Sequence, residues 1–155
     1  MGGRGASSGI KTLLLNTNDN KVKKQIDGSK TEKVGTLDIS ILQKGFPDVR
    51  NGEVVLTPPQ FKHIQKDHPD ALPILLEHGK EIMSDPDLVI KDLSEPNTVL
   101  VIKTLNKSYK AVIRLAVSSD EEWKKNSIIS FHRMKPKGIE NKKKHNVILY
   151  EKRKK

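Results

Sequence analysis

The chain contains no cysteine. That absence excludes disulfides and any metal site built on thiolates. Aromatic residues are scarce: one Trp, two Tyr and three Phe among 155 residues. The core must therefore be aliphatic and modest, enough for one domain with an extension. No apolar run approaches the ~18 residues of a membrane span. The opening stretch, MGGRGASSG, lacks the apolar segment of a secretory signal. It also misses the myristoylation pattern, because Ala6 stands where a Ser or Thr is required. A cytoplasmic protein without membrane contact is expected, although a cysteine-free toxin exported to another cell also fits.

What is abundant is positive charge, and it is unevenly placed. The formal net charge is +10. Twelve of the 29 basic residues lie from Lys124 onward, against only Glu140 and Glu151. The preceding 123 residues carry seventeen charges of each sign and net to zero. A concentrated basic segment attracts polyanions by steering and counterion release, so nucleic acid is the first candidate partner. An anionic membrane is a weaker one, because no amphipathic helix pattern accompanies the charges. The plain alternative is a solvated lysine tail.

Residues 1–35 read as a flexible segment, rich in Gly and Ser and then in polar residues. Residues 36–53 read as a lead-in that packs on the domain, and 54–155 as an α+β domain with a basic C-terminal tail. Val54–Leu56 is a short strand candidate. Thr57-Pro58-Pro59-Gln60 opens a helix with a capping residue, a proline in the first turn and a capping-box Gln. Phe61, Ile64 and His68 share one face of it. Leu72, Leu75, Leu76, Gly79, Ile82 and Met83 form the stripe of a second helix, closed by Ser84-Asp85-Pro86-Asp87. The periodicity then turns to strands, at 88–90, 98–103, 109–117, 127–134 and 146–150. Helices first and an antiparallel meander second predicts helices packed on one face of an antiparallel sheet.

The densest chemistry lies at His63-Ile64-Gln65-Lys66-Asp67-His68. The two histidines are i, i+5, about 140° apart on a helix, which disfavours a metal pair. Histidine is the natural acid or base near neutral pH. The competing structural reading is that His68 merely ends a helix. His63 stands one turn before Asp67 and is placed to pair with it. His78 and His145 lack supporting neighbours, and His132 is a lesser candidate. Lys103, Arg114, Ser127, Ser130 and Tyr150 lie on strands. Lys103 also reads as a solvated strand end. Ser127 and Ser130 fall on opposite faces unless a bulge intervenes.

The succession Leu56-Thr57-Pro58, His63-Ile64, His68-Pro69, Asp85-Pro86-Asp87, Asn97-Thr98, the strand carrying Arg114, Asn126 to Phe131 and Ile148-Leu149-Tyr150 resembles the phage form of the barnase–EndoU–colicin–RelE-like nuclease domain. The resemblance covers about two thirds of the chain. It implies N-terminal helices packed on a four-stranded antiparallel sheet. It implies a metal-independent endoribonuclease, without cofactor, that cleaves RNA through the 2′-hydroxyl. By motif position it points to His63 and His68 on the helix and to Lys103, Arg114, Ser127 and Tyr150 on strands as catalytic residues. Arg133, Lys135, Lys137, Lys142, Lys143 and Lys144 are the expected RNA contacts. The expected protein is a monomer acting on tRNA or another structured RNA, with a cognate immunity protein as a second candidate partner. The alternative is a non-catalytic nucleic-acid-binding or phage accessory protein on the same scaffold. An inhibitor that mimics nucleic acid would be acidic, which counts against that variant.

Overall fold

A computed structural model describes residues 28–153. The elements run β1 (Glu32–Thr36), α1 (Ile39–Leu42), β2 (Glu53–Leu56), α2 (Pro58–Asp67), α3 (Leu72–Ser84), β3 (Leu88–Lys91), β4 (Thr98–Thr104), β5 (Ser108–Arg114), β6 (Asn126–Met134), α4 (Pro136–His145) and β7 (Val147–Glu151). The seven strands form one sheet in the order β1-β2-β6-β5-β4-β3-β7. Every pairing is antiparallel except β2 with β6, which is parallel. Among the described residues, no helix is long and apolar enough to cross a membrane.

This architecture corrects the expected one. The sheet is seven-stranded and mixed, not four-stranded and antiparallel, and the helices are not all N-terminal. Three causes account for the difference. The expected flexible segment 1–35 lies largely outside the described residues, but its end forms β1. Val34 and Gly35 are buried there against α3. Gly79 of α3 permits that approach, since a Cβ on it would stand 2.5 Å from Val34 Cγ1. Second, the short β2 pairs with β6 through only two rungs, Val54 with Asn126 and Val55 with Ser127. Nothing local in the sequence announces a parallel partner seventy residues away. Third, much of the expected tail is α4. Its sequence has one apolar anchor, Ile139, and no stripe. It is helical because Pro136 suits the first turn and Lys142, Lys143, Lys144 and His145 complement the C-terminal dipole.

The two faces of the sheet differ. On the first, α1 and α3 cover a large core that includes Val99, Val101, Ala111, Ile113, Ile128 and Phe131. Tyr109 and Phe131 stack there, with centroids 5.5 Å apart and planes within 4°. On the second face, α4 covers a smaller cluster of Leu88, Ile90, Leu100 and Ile102 through Ile139. Strand β5 alternates accordingly. Tyr109, Ala111 and Ile113 are buried, while Lys110, Val112 and Arg114 are half-buried on the second face.

One buried polar side chain joins the two halves of the sheet. Asn126 Nδ2 donates to the carbonyls of Asn51 at 2.9 Å and Glu53 at 2.7 Å, and its Oδ1 accepts from Ala116 N at 2.8 Å. An Asn126→Ala variant strands the buried Ala116 amide and should lose about 2–4 kcal/mol in urea unfolding. A loss under about 0.5 kcal/mol would show that this joint is not limiting. Asn126→Asp keeps the acceptor but sets a carboxylate oxygen against two carbonyls. It should be destabilised at neutral pH and should recover as acid protonates the new group.

Candidate functional site

The second face carries the polar groups, and a bulge in β6 gathers them. Val112 opposes Ser130 and Ile113 opposes Ile128, so Ile129 is the extra residue. After this slip Ser127, Ser130 and His132 all share the face of Arg114, Val112 and Lys110. The condition under which the two serines meet on one face is therefore fulfilled. Three cross-strand rungs result: Arg114 with Ser127, Val112 with Ser130, and Lys110 with His132. Two residues of strand advance about 6.8 Å, so the outer rungs lie about 14 Å apart.

Helix α2 packs against β6 and brings its C-terminus to His132. Thr57 occupies the N-cap in extended backbone, but its hydroxyl makes no capping bond. Prolines at positions 58 and 59 leave no N–H there to cap. His68 terminates the helix. Its N–H donates to the Ile64 carbonyl at 2.7 Å, and its own carbonyl accepts from Ala71 N at 3.0 Å. The backbone of His68 is thus fixed on both sides. Its ring lies 5.0 Å from that of His132, tilted by 31°. His63 stands edge-on to His68 at 6.4 Å, and its Nδ1 pairs with Asp67 Oδ2 at 3.1 Å.

His132 has a defined tautomer. Its Nδ1 lies 2.9 Å from the Arg133 carbonyl, which only accepts. Nδ1 therefore carries the hydrogen of the neutral ring, and Nε2 is left as the acceptor. Burial holds the His132 pKa below that of an ordinary imidazole; Lys110, His68 and Lys142 push the same way, against the bond to Arg133. Lys110, directly opposite, is also held below its ordinary value, by burial first and then by Lys142 of α4.

Arg114 lies on the outer rung, between Thr98 and Ser127. Its Nε is buried and has no hydrogen-bond partner among the described residues. Elsewhere on the sheet, cations are consumed. Lys103 lies on the first face, only 5% exposed. Its Nζ donates to the Asp85 carbonyl at 2.7 Å and the Asp85 carboxylate at 3.2 Å. Lys103 is therefore an internal tie between β4 and the end of α3, not a member of the histidine group. Tyr150 opposes Val89 on β7 and packs on the first-face core. Four strand spacings, about 19 Å, separate it from β6. These two residues are corrections to the expected site, because cross-strand order and face cannot be read from one strand alone.

The basic segment divides similarly. Arg133 opposes Tyr109 and is exposed. Lys135, Lys137 and Lys144 are exposed on or beside α4, and Lys142 approaches His132 and Lys110. Lys143 is bound to Glu151 at 2.6 Å and Glu140 at 3.7 Å. The residues that sequence reasoning undervalued are His132 and Lys110. The alternation of β5 did place Lys110 beside Arg114, but the β5–β6 register that faces it with His132 has no local signal. Among the described residues, no three His, Asp or Glu side chains converge to hold a metal ion. The chain matches no family model, no curated protein and no solved structure.

The His132 environment has a measurable consequence. Its ring should titrate below 6.5, the ordinary value, in an NMR pH series, with the proton on Nδ1. Lys110→Met should raise that midpoint part of the way, since burial remains. Because the folded state favours the neutral ring, its contribution to stability is full above 6.5 and is lost as the pH falls through the lower folded midpoint. A midpoint at or above 6.5 would contradict the described packing.

Proposed function

We propose that this protein is a metal-independent endoribonuclease, of the kind associated with phages and toxins, acting on tRNA or another structured RNA. The observation that carries the reading is the His68–His132 pair, 5.0 Å apart, facing the Lys110 ammonium across β5 and β6. Cleavage of RNA without metal needs three things in one place. A base must take the proton of the ribose 2′-hydroxyl, a cation must hold the charge that grows on the phosphoryl oxygens, and an acid must protonate the leaving oxygen.

His132 meets the first need. Its Nε2 is the free acceptor, and its lowered pKa keeps it neutral near physiological pH. The 2′-oxygen, once deprotonated, attacks the adjacent phosphorus, and the P–O5′ bond breaks. Lys110 and Lys142 supply positive charge beside that phosphoryl group. His68 is the group placed to return a proton to the 5′-oxygen. The products are a 2′,3′-cyclic phosphate and a 5′-hydroxyl. The exposed lysines of α4 extend the cationic surface and favour encounter with the polyanion.

Purified protein should cleave total tRNA in the presence of EDTA and leave 2′,3′-cyclic phosphate ends. His132→Asn and His68→Ala should each lose ~10²-fold or more in rate, with melting temperatures close to the parent. Lys103→Met and Tyr150→Phe should keep their specific activity. Strict dependence on Mg²⁺, or full activity in both histidine variants, would contradict the reading. RNA binding without cleavage would instead establish a non-catalytic RNA-binding module.

The lysines should also separate by their partners. Replacing Lys137 and Lys144 together by Gln should weaken RNA binding and lower the salt slope by about one to two. Lys143→Gln should change neither, since Glu140 and Glu151 already neutralise it. Equal effects of all three would mean that the Lys143 pairs dissolve in solution.

A further inference from the structure

The proposed reacting centre uses the Lys110–His132 rung of the second face and leaves the Arg114–Ser127 rung without a role. Arg114 there is unusual. A guanidinium pays a desolvation cost when its Nε is buried unpaired, and such a group calls for an acceptor that arrives from outside. A phosphodiester is the acceptor that a planar guanidinium fits best. Ser127 stands directly across from Arg114, half-buried, with a hydroxyl able to join the same oxygens.

A second observation lies at the same end of the sheet. The loop between β5 and β6 carries Trp123, the only tryptophan in the chain. It is 73% exposed, the most open of the large apolar side chains among the described residues. Yet the loop that presents it is firmly held. The Arg50 guanidinium donates to the carbonyls of Asp120, Glu121 at 2.7 Å and Lys124 at 3.3 Å. Asp120 in turn accepts from Val117 N at 2.8 Å. An exposed indole on a held backbone gains by stacking on a flat apolar partner. Ser127 follows Trp123 by four residue steps, a reach of at most about 14 Å. Glu121 and Glu122 precede the ring. Lys124 and Lys125 follow it, so the local charge nets to zero; it is the flat apolar face of the indole that selects a base, not the backbone, as its partner.

We propose that Arg114 and Trp123 form a substrate-positioning subsite for single-stranded RNA, in which Arg114 binds a phosphodiester about two nucleotides along from the one that is cut and Trp123 stacks a neighbouring base. This rests on the endoribonuclease reading for its purpose, but not for its test. The strand runs along the β5–β6 face from the Lys110–His132 rung to the Arg114–Ser127 rung and leaves over the loop. A base can stack on Trp123 only when it is unpaired, so the segment recognised in a structured RNA is a loop or an end. Arg114 acts through position and is a positioning residue, while His132 and His68 act on the reacting atoms.

The single tryptophan gives a direct readout that does not depend on cleavage. A 2′-O-methylated hexanucleotide, which offers no 2′-hydroxyl nucleophile, is titrated into the full chain at low salt. Tryptophan emission should be strongly quenched, and saturation should follow the binding curve measured by anisotropy of a labelled copy. Trp123→Ala should weaken that binding about tenfold or more, and Trp123→Tyr should restore most of it. Arg114→Gln should weaken binding and reduce the salt slope by about one. Binding without any change in emission, or Trp123→Ala binding like the parent, overturns the subsite, as does no binding at all. Trp123 sits on an exposed loop, so its variants fold even if those of Arg114 do not. Cleavage of RNA by a protein whose tryptophan stays unquenched removes the subsite and leaves the nuclease. Quenching and tight binding without cleavage leave the subsite and remove the nuclease.

Discussion

Asn126 stands where the antiparallel β1–β2 pair meets the β3–β6 meander, and its carboxamide is hydrogen-bonded at both ends. The parallel junction itself is only two rungs long, too short to fix strand direction by ladder bonds alone. The buried carboxamide adds backbone partners on both sides of the joint, Asn51 before β2 and Glu53 at its start, and Ala116 after β5. An unsatisfied amide there would be costly, so the two halves lock in one register. Everything downstream of β2 inherits that register. Leu56 hands the chain to Thr57 and two prolines, α2 then runs beside the remainder of β6, and His68 arrives at His132. A slip at Asn126 would move the first histidine away from the second.

The charge of +10 is a poor guide to where free positive charge lies, because many cations are already satisfied. Lys103 and Lys152 both converge on Asp85, whose carboxyl is held below its ordinary range first by Lys152 and then by Lys103. Lys143 is raised by its bond to Glu151. Among the described residues, the half-buried cations of the second face that make no ion pair are Lys110, Lys142 and Arg114, beside two imidazoles, with Asp92 acting on Lys110 as the weakest of its influences. Burial lowers both Lys110 and His132, and a bound phosphodiester would relieve the mutual repulsion of this group. The half-buried cations, not the long lysine series, define the chemically distinct region.

The bulge at Ile129 is the second device on which the site depends. A regular ladder would send Ser127 and Ser130 to opposite faces. The extra residue returns both to the side of Arg114 while Ile128 and Phe131 stay in the core. Helix α4 completes the arrangement by covering the apolar part of that face through Ile139 and bringing Lys142 to the polar part.

Much of the local structure was legible from the residues. Helices α2 and α3, the β5 alternation and most strands follow from apolar periodicity and from the prolines that bound them, since these are properties of neighbouring residues. The pairing of His63 with Asp67 was legible for the same reason, being one helical turn. Strand β1 was hidden because its burial rests on Val34 and a glycine under α3, and α4 because its single anchor Ile139 leaves no stripe. The sequence by itself determined that an aliphatic, cysteine-free α+β domain would carry its surplus charge at one end. Only the tertiary structure decided that Lys103 is an internal tie, that Tyr150 lies four strands away, and that His132 and Lys110 face each other beside His68. Those facts depend on strand order, register and one bulge, which are set by contacts between residues far apart in the chain.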